Sequence, residues 1–248
     1  MQEFDETTLA NLMISGCPQT DVPAAIRRFT NLQTITLENL TLYDWPVGAS
    51  LAGDFFPMLQ TINLKVVNFK SRPDGLLVEP LPPSVEWVHI YRANMSNYID
   101  MIGTKWQYLK YFDCDVCGLS TFPHIVSTMT GLLTLSLCSN RIALIPENSV
   151  KDLNTSFLAL WLDANPLDAL PDSLWAMSAT CGDFSFQHTG ISKLPPALAN
   201  VKNPLLKIFG YDTPLCSGLV DPRIIHEQLY CQEVQYNDFI QYPLEGGQ

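Results

Sequence analysis

Residues 132–146 read Leu132-Leu133-Thr134-Leu135-Ser136-Leu137-Cys138-Ser139-Asn140-Arg141-Ile142-Ala143-Leu144-Ile145-Pro146, with apolar residues at places one, four, six, eleven and fourteen, and Asn140 ninth. The template returns at Phe157, Leu160, Leu162, Asn165, Leu167, Leu170 and Pro171. A third copy reads Cys181, Phe184, Phe186, Thr189, Ile191, Leu194 and Pro195. A fixed period of this length marks a chain of stacked repeats. Extending the frame in both directions puts first positions at Leu9, Leu32, Leu59, Val85, Leu109, Leu132, Phe157, Cys181 and Leu205, spaced 23 to 27 residues apart. A second register runs alongside: Pro23, Pro123, Pro171 and Pro195 are followed three residues later by Ile26, Val126, Leu174 and Leu198, and six later by Phe29, Met129, Met177 and Val201. Apolar spacing of three fits a turn of helix, and proline suits its start.

These copies resemble the leucine-rich-repeat family. The resemblance implies an α/β fold: a leucine-rich-repeat solenoid of about nine rungs, with a parallel β-sheet on the concave face and short helical, 3-10 or extended segments on the convex face. One rung cannot bury its own apolar edge, so neighbours stack and the core runs the length of the array. Repeats two and three are irregular, with Leu40 and Val67 at the ninth place and longer returns over Tyr43–Met58 and Lys70–Ser84. Those returns carry Asp44-Trp45-Pro46, Phe55-Phe56 and Pro80-Leu81-Pro82-Pro83, expected to pack the convex side.

The frame runs into Thr213-Pro214-Leu215-Cys216, and Cys231 comes fifteen residues later. This end resembles the cysteine-containing C-terminal cap of extracellular leucine-rich-repeat proteins, receptor-like or secreted, which implies a Cys216–Cys231 disulfide. Pro222–Tyr230 reads as a short helix over the last rung. The expected organisation is a short N-terminal segment over 1–8, the solenoid over 9–215, the cap over 216–231 and a polar, acidic tail or linker over 232–248. With so short a leading segment, the chain is expected to be a piece of something longer.

Cys114-Asp115-Val116-Cys117 has the spacing of a redox motif or half a zinc site. The repeat frame gives another account: Cys114 falls on the sixth, core-facing place and Cys117 on the ninth, shared by Cys17, so both are expected to be buried thiols. No second such pair exists and no metal or cofactor is expected. Cys181 is also a core place, whereas Cys138, at place seven, is expected to be an exposed thiol.

Fourteen basic residues against twenty-five acidic ones leave a net charge of −11, the wrong sign for a nucleic-acid footprint. With 47% hydrophobic and 16% charged residues, the chain can build a sizeable core. No apolar run is long enough to cross a membrane, though a removed anchor is compatible with the sequence. The resemblance of the cap to extracellular ones implies a location outside the cell or on its surface, with which the sequons at Asn39, Asn94 and Asn154 agree; a cytoplasmic scaffold with reduced Cys216 and Cys231 is the alternative.

Places three, five and seven of each rung should face solvent on the concave wall. They carry Trp87, His89 and Tyr91, then Tyr111, Asp113 and Asp115, then Thr134, Ser136 and Cys138. Ala159, Trp161 and Asp163 come next, then Asp183, Ser185 and Gln187, then Lys207, Phe209 and Tyr211. Trp and Tyr are residues on which interfaces concentrate binding energy. The expected site is therefore Trp87, His89, Tyr91, Tyr111, Asp113, Asp115, Trp161, Asp163, Asp183, Phe209 and Tyr211, an apolar centre with an acidic border. It suits a protein or peptide ligand with basic flanks, bound without catalysis in reception or adhesion. A carbohydrate ligand on the same face is the other binding reading. Catalysis is not expected: the frame puts Asp113 and Asp115 on an open sheet with nothing to desolvate them, and Ser136 and His89 do not converge.

Overall fold

Alternation of inward apolar and outward polar residues makes each rung open with a strand, and the computed structural model of the chain places one at every expected rung. It describes residues 8–150, 153, 157–174, 180–196, 203–217 and 228–234. The rung strands are β1 (Asn11–Ser15), β3 (Thr34–Asp44), β4 (Thr61–Phe69), β5 (Trp87–Tyr91), β6 (Tyr111–Asp115), β7 (Thr134–Ser136), β8 (Ala159–Trp161), β9 (Asp183–Ser185) and β10 (Lys207–Phe209). Each begins at the third place of its repeat. Two more, β2 (Thr20–Asp21) and β11 (Leu229–Tyr230), complete one parallel sheet in the order β1-β3-β4-β5-β6-β7-β8-β9-β10-β11, with β2 against β3. The register never slips along the rungs: Thr34, Thr61, Trp87, Tyr111, Thr134, Ala159, Asp183 and Lys207 form one row.

The chain must turn the same corner in every rung, and the backbone records it. Gly16, Asn39, Val66, Arg92, Val116, Ser139, Ala164, His188 and Asp212 all have φ between 49° and 67°. Each is the eighth residue of its repeat. For Val66 and Val116 this left-handed conformation is strained, because a branched Cβ crowds the backbone there, so rung stacking must hold it.

The ninth residue decides the backbone path beyond the corner. The Asn140 carboxamide donates to the carbonyls of Cys114 and Leu137 at 2.8 and 2.9 Å and accepts the N–H groups of Cys117 and Leu119. Asn165 repeats this one rung on, bonding the Leu137 and Leu162 carbonyls and the Ile142 N–H. Leu40 and Val67 have no such amide, and there the turned backbone pairs with itself: Leu40, Thr41 and Leu42 lie in register with Val67, Asn68 and Phe69. Strands β3 and β4 are long for that reason.

The core obeys the frame. Ile35, Ile62, Val88, Phe112, Leu135, Leu160, Phe184 and Ile208 at the fourth place are buried, as are Leu37, Leu64, Ile90, Cys114, Leu137, Leu162 and Phe186 at the sixth. The last rung departs at its first place: Leu205 is 74% exposed and Leu206 is buried instead. Pro23 and Pro123 cap 3-10 turns over Ala24–Arg28 and His124–Thr128, burying Ile26 and Val126. Leu174 is buried as expected, whereas Met177, Leu198 and Val201 lie outside the described residues. The long returns pack the convex side, with Trp45, Phe56 and Leu81 buried. The Trp45 indole N–H donates to the Ala49 carbonyl at 3.0 Å. A Cβ at Gly75, in α1 (Asp74–Leu77), would lie 2.1 Å from Trp45 Cδ1, so only glycine fits there.

A disulfide joins Cys216 to Cys231 with a Cα–Cα distance of 5.6 Å. Most of the expected cap helix lies outside the described residues; within it, Leu229 and Tyr230 are a strand, correcting that part of the expectation. Cys17, Cys114, Cys117, Cys138 and Cys181 are thiols outside any disulfide.

Candidate functional site

Alternation sets the direction of a side chain but not its depth, and on the concave wall the two diverge. Neighbouring strands stand about 4.8 Å apart, so a bulky residue on one rung roofs a small polar one on the next. Trp87 is 44% exposed, and Tyr91, Tyr111, Trp161, Asp183 and Tyr211 are half-buried. The expectation of solvent exposure fails beneath them. His89, Asp113, Asp115, Asp163 and Phe209 are buried, with Asp115 at 0%, and so are Ser136, Cys138, Ala159, Ser185 and Gln187. Cys138 is therefore not the exposed thiol that its place suggested.

The buried polar residues form a hydrogen-bonded layer. Trp87 Nε1 donates to Asp113 Oδ2 at 2.9 Å, and His89 Nδ1 lies 3.1 Å from the same oxygen. The Trp87 and Tyr111 rings pack with centroids 5.4 Å apart. Asp115 Oδ1 accepts both the Ser136 hydroxyl and the Cys138 backbone N–H at 2.7 Å. Two rungs along the device recurs, with Asp163 Oδ1 accepting the Ser185 hydroxyl and the Gln187 N–H. An aspartate at place seven thus binds the next rung through its fifth and seventh places.

These carboxylates are desolvated, contrary to the open-sheet expectation. Burial, reinforced by neighbouring Asp113, pushes the Asp115 carboxyl well above the usual carboxylate range, against the hydrogen bonds from Ser136 and Cys138. Burial likewise raises Asp163 to about 6, opposed by bonds from Ser185 and Gln187. Ser136 and His89 hydrogen-bond to different carboxylates, so they form two separate pairs. Burial also pushes the Cys114 and Cys117 thiols up, and Cys181 to about 12, which suppresses the reactive thiolate. Among the described residues no His, Cys, Asp and Glu cluster could hold a metal ion.

At the C-terminal end of the wall, Tyr230 stacks on Phe209 with centroids 5.3 Å apart, which is why Phe209 is covered. Gln187 Nε2 donates to the Val234 carbonyl at 2.8 Å, and the Val234 N–H donates to Gln187 Oε1 at 2.9 Å. The expected site did not include Gln187 or Val234. The only sequence signal for Gln187 was its outward place, and nothing marked Val234. Of the sequons, Asn39 and Asn94 are exposed, Asn94 accepting the Ser96 hydroxyl at 2.7 Å, and Asn154 lies outside the described residues.

No protein-family model matches the chain, and no curated protein sequence matches it. Similarity is found in solved structures. A leucine-rich-repeat protein of Leptospira interrogans aligns over 78% of this chain and 70% of its own at 15% identity, with a TM-score of 0.48. A structure of TLR13 in complex with the RNA ssRNA13 aligns over 76% of this chain at 13% identity, with a TM-score of 0.56, and this chain spans only 29% of its length.

Proposed function

We propose that this leucine-rich-repeat chain is a non-enzymatic binding module, and that its concave wall recognises a protein or peptide outside the cell or at its surface. The carrying observation is Trp87. A large aromatic that is 44% exposed, with its indole N–H already bonded to buried Asp113 and its ring packed on Tyr111, is held ready for a partner. Such rigid, amphipathic anchors lose little entropy on binding. Tyr91, Tyr111 and Trp161 extend the surface across neighbouring rungs. Buried His89 and Asp113 hydrogen-bond in the layer that holds Trp87, Asp115 and Asp163 tie successive rungs together, and Asp183, Phe209 and Tyr211 continue the wall toward the C-terminal end.

The disulfide supports an oxidising compartment, and the exposed Asn39 and Asn94 sequons are compatible with it. The TLR13 neighbour holds RNA, but a net charge of −11 favours polypeptide over a polyanion here. The test is a peptide selected from a random display library against the full chain. Trp87→Ala and Trp161→Ala should each weaken it tenfold or more, roughly 1.4 kcal/mol, measured at a temperature where circular dichroism shows each variant folded, since Trp87→Ala also strips a donor from buried Asp113. Unaltered affinity in both variants overturns the concave-wall reading.

A further inference from the structure

Gln187 and Val234 are 47 residues apart, yet one carboxamide takes both main-chain groups of Val234, donating to its carbonyl and accepting its N–H. A side-chain amide has one acceptor oxygen and a donor NH2 group side by side, so it can stand in for the backbone of an adjacent strand. Polypeptide is bound in this manner when an extended segment is read through its main chain. The Gln187 amide is oriented from below: Nε2 also lies 3.4 Å from Asp163 Oδ2, and the Gln187 N–H is tied to Asp163 Oδ1 at 2.7 Å.

The path to this point is fixed. Strand β11 extends the sheet beyond β10, Cys231 is bonded to Cys216, and the chain then doubles back past rung nine to reach rung eight at Val234. Gln187 lies on the same face as Tyr91 and Asp115, at the equivalent seventh place. The contact reads no side chain of the segment; it needs only a free N–H and C=O.

We infer that Gln187 is a main-chain docking point on the concave wall, and that its occupant is this chain's own tail, beginning at Gln232. The residues after Val234 include Tyr236, Phe239, Ile240 and Tyr242, side chains suited to the aromatic wall. The rung of Trp87 lies about 19 Å from Gln187, four spacings of roughly 4.8 Å, whereas the remaining tail can span about 46 Å when extended. The tail is thus an internal competitor for the wall. This last step rests on the proposed recognition function, whereas the docking point itself does not.

The probe is a fluorescein-labelled synthetic peptide of residues 232–248, titrated against full-length proteins. Val234→Pro removes the tail's N–H donor without altering the wall and should free the docking point. The expected result is that the peptide binds the Val234→Pro chain at least tenfold more tightly than the wild type, whose tethered tail competes at high effective concentration. Adding Gln187→Ala to that variant should abolish the gain. Equal binding to wild type and Val234→Pro, or binding to neither, overturns the inference. So does a Val234 amide that exchanges in the wild type as fast as in an unfolded chain. Either failure leaves the effect of Trp87→Ala on a selected peptide untouched, so the two proposals fail separately.

Discussion

Lowering the pH from 7 to 5 should stabilise this protein through Asp163. The side chain is 2% exposed, and its folded pKa of about 6 lies above the unfolded value of 3.8. A raised pKa means that the folded state binds the proton more tightly, so stability falls as pH rises between the two values. Above pH 6 the full cost of a buried carboxylate is present, about 3 kcal/mol for a pKa raised this far. Below about pH 4 both states are protonated and the contribution vanishes. Between pH 7 and pH 5 the linkage returns roughly 1 kcal/mol. Asp115 contributes with the same sign, so the wild type alone cannot isolate Asp163. The assay is therefore urea unfolding at both pH values for wild type and Asp163→Asn, which cannot ionise. The variant should lose about 1 kcal/mol of the acid-induced gain. An identical change in both proteins would refute the reasoning, because the burial of Asp163 would then have no cost.

Leu160→Ala should destabilise by about 2–5 kcal/mol, as a fully buried leucine at the fourth place. Ser185→Ala should cost about 1–3 kcal/mol, since it strips a donor from buried Asp163; thermal or urea melts of both variants check the depth assigned to each place. Reducing Cys216–Cys231 should lower stability by about 3 kcal/mol on the chain-entropy account of a fifteen-residue loop, read as a shifted urea midpoint. In the native protein Cys114, Cys117, Cys138 and Cys181 should resist alkylation that labels half-buried Cys17 first, and peptide mapping should find no Cys114–Cys117 bridge.

The repeat period was legible because every rung solves the same problem with the same apolar places. The register of β1 to β10, the buried Cys114 and Cys117 and the asparagine ladder at Asn140 and Asn165 all derive from it. Depth on the wall was not legible. Places three, five and seven share one direction, yet Trp87 stands proud while Asp115 is sealed beneath its neighbours, because roofing depends on the size of side chains on adjacent strands. A clue was present in the recurrence of an aspartate at place seven with a serine at place five of the next rung, Asp115 with Ser136 and Asp163 with Ser185. The Gln187–Val234 contact has no periodic counterpart, and only the folded chain brings it together.

Burial of the carboxylates changes what kind of partner the wall can hold. An exposed acidic border would steer a basic ligand over long range and make its association fall steeply with salt. Asp115 is instead held toward its neutral form at the centre of a rung-to-rung hydrogen-bond set, and only Asp183 among the expected border aspartates is half-buried rather than buried. Affinity should then come mainly from aromatic burial, with charge acting through Asp183. Asp115→Asn should leave the salt dependence of association of a selected peptide unchanged, whereas Asp183→Asn should flatten it. Stopped-flow association rates at several ionic strengths distinguish the two. A slope that flattens in Asp115→Asn would mean that this carboxylate carries its charge to the ligand, and that the wall recognises its partner by its acidic residues after all.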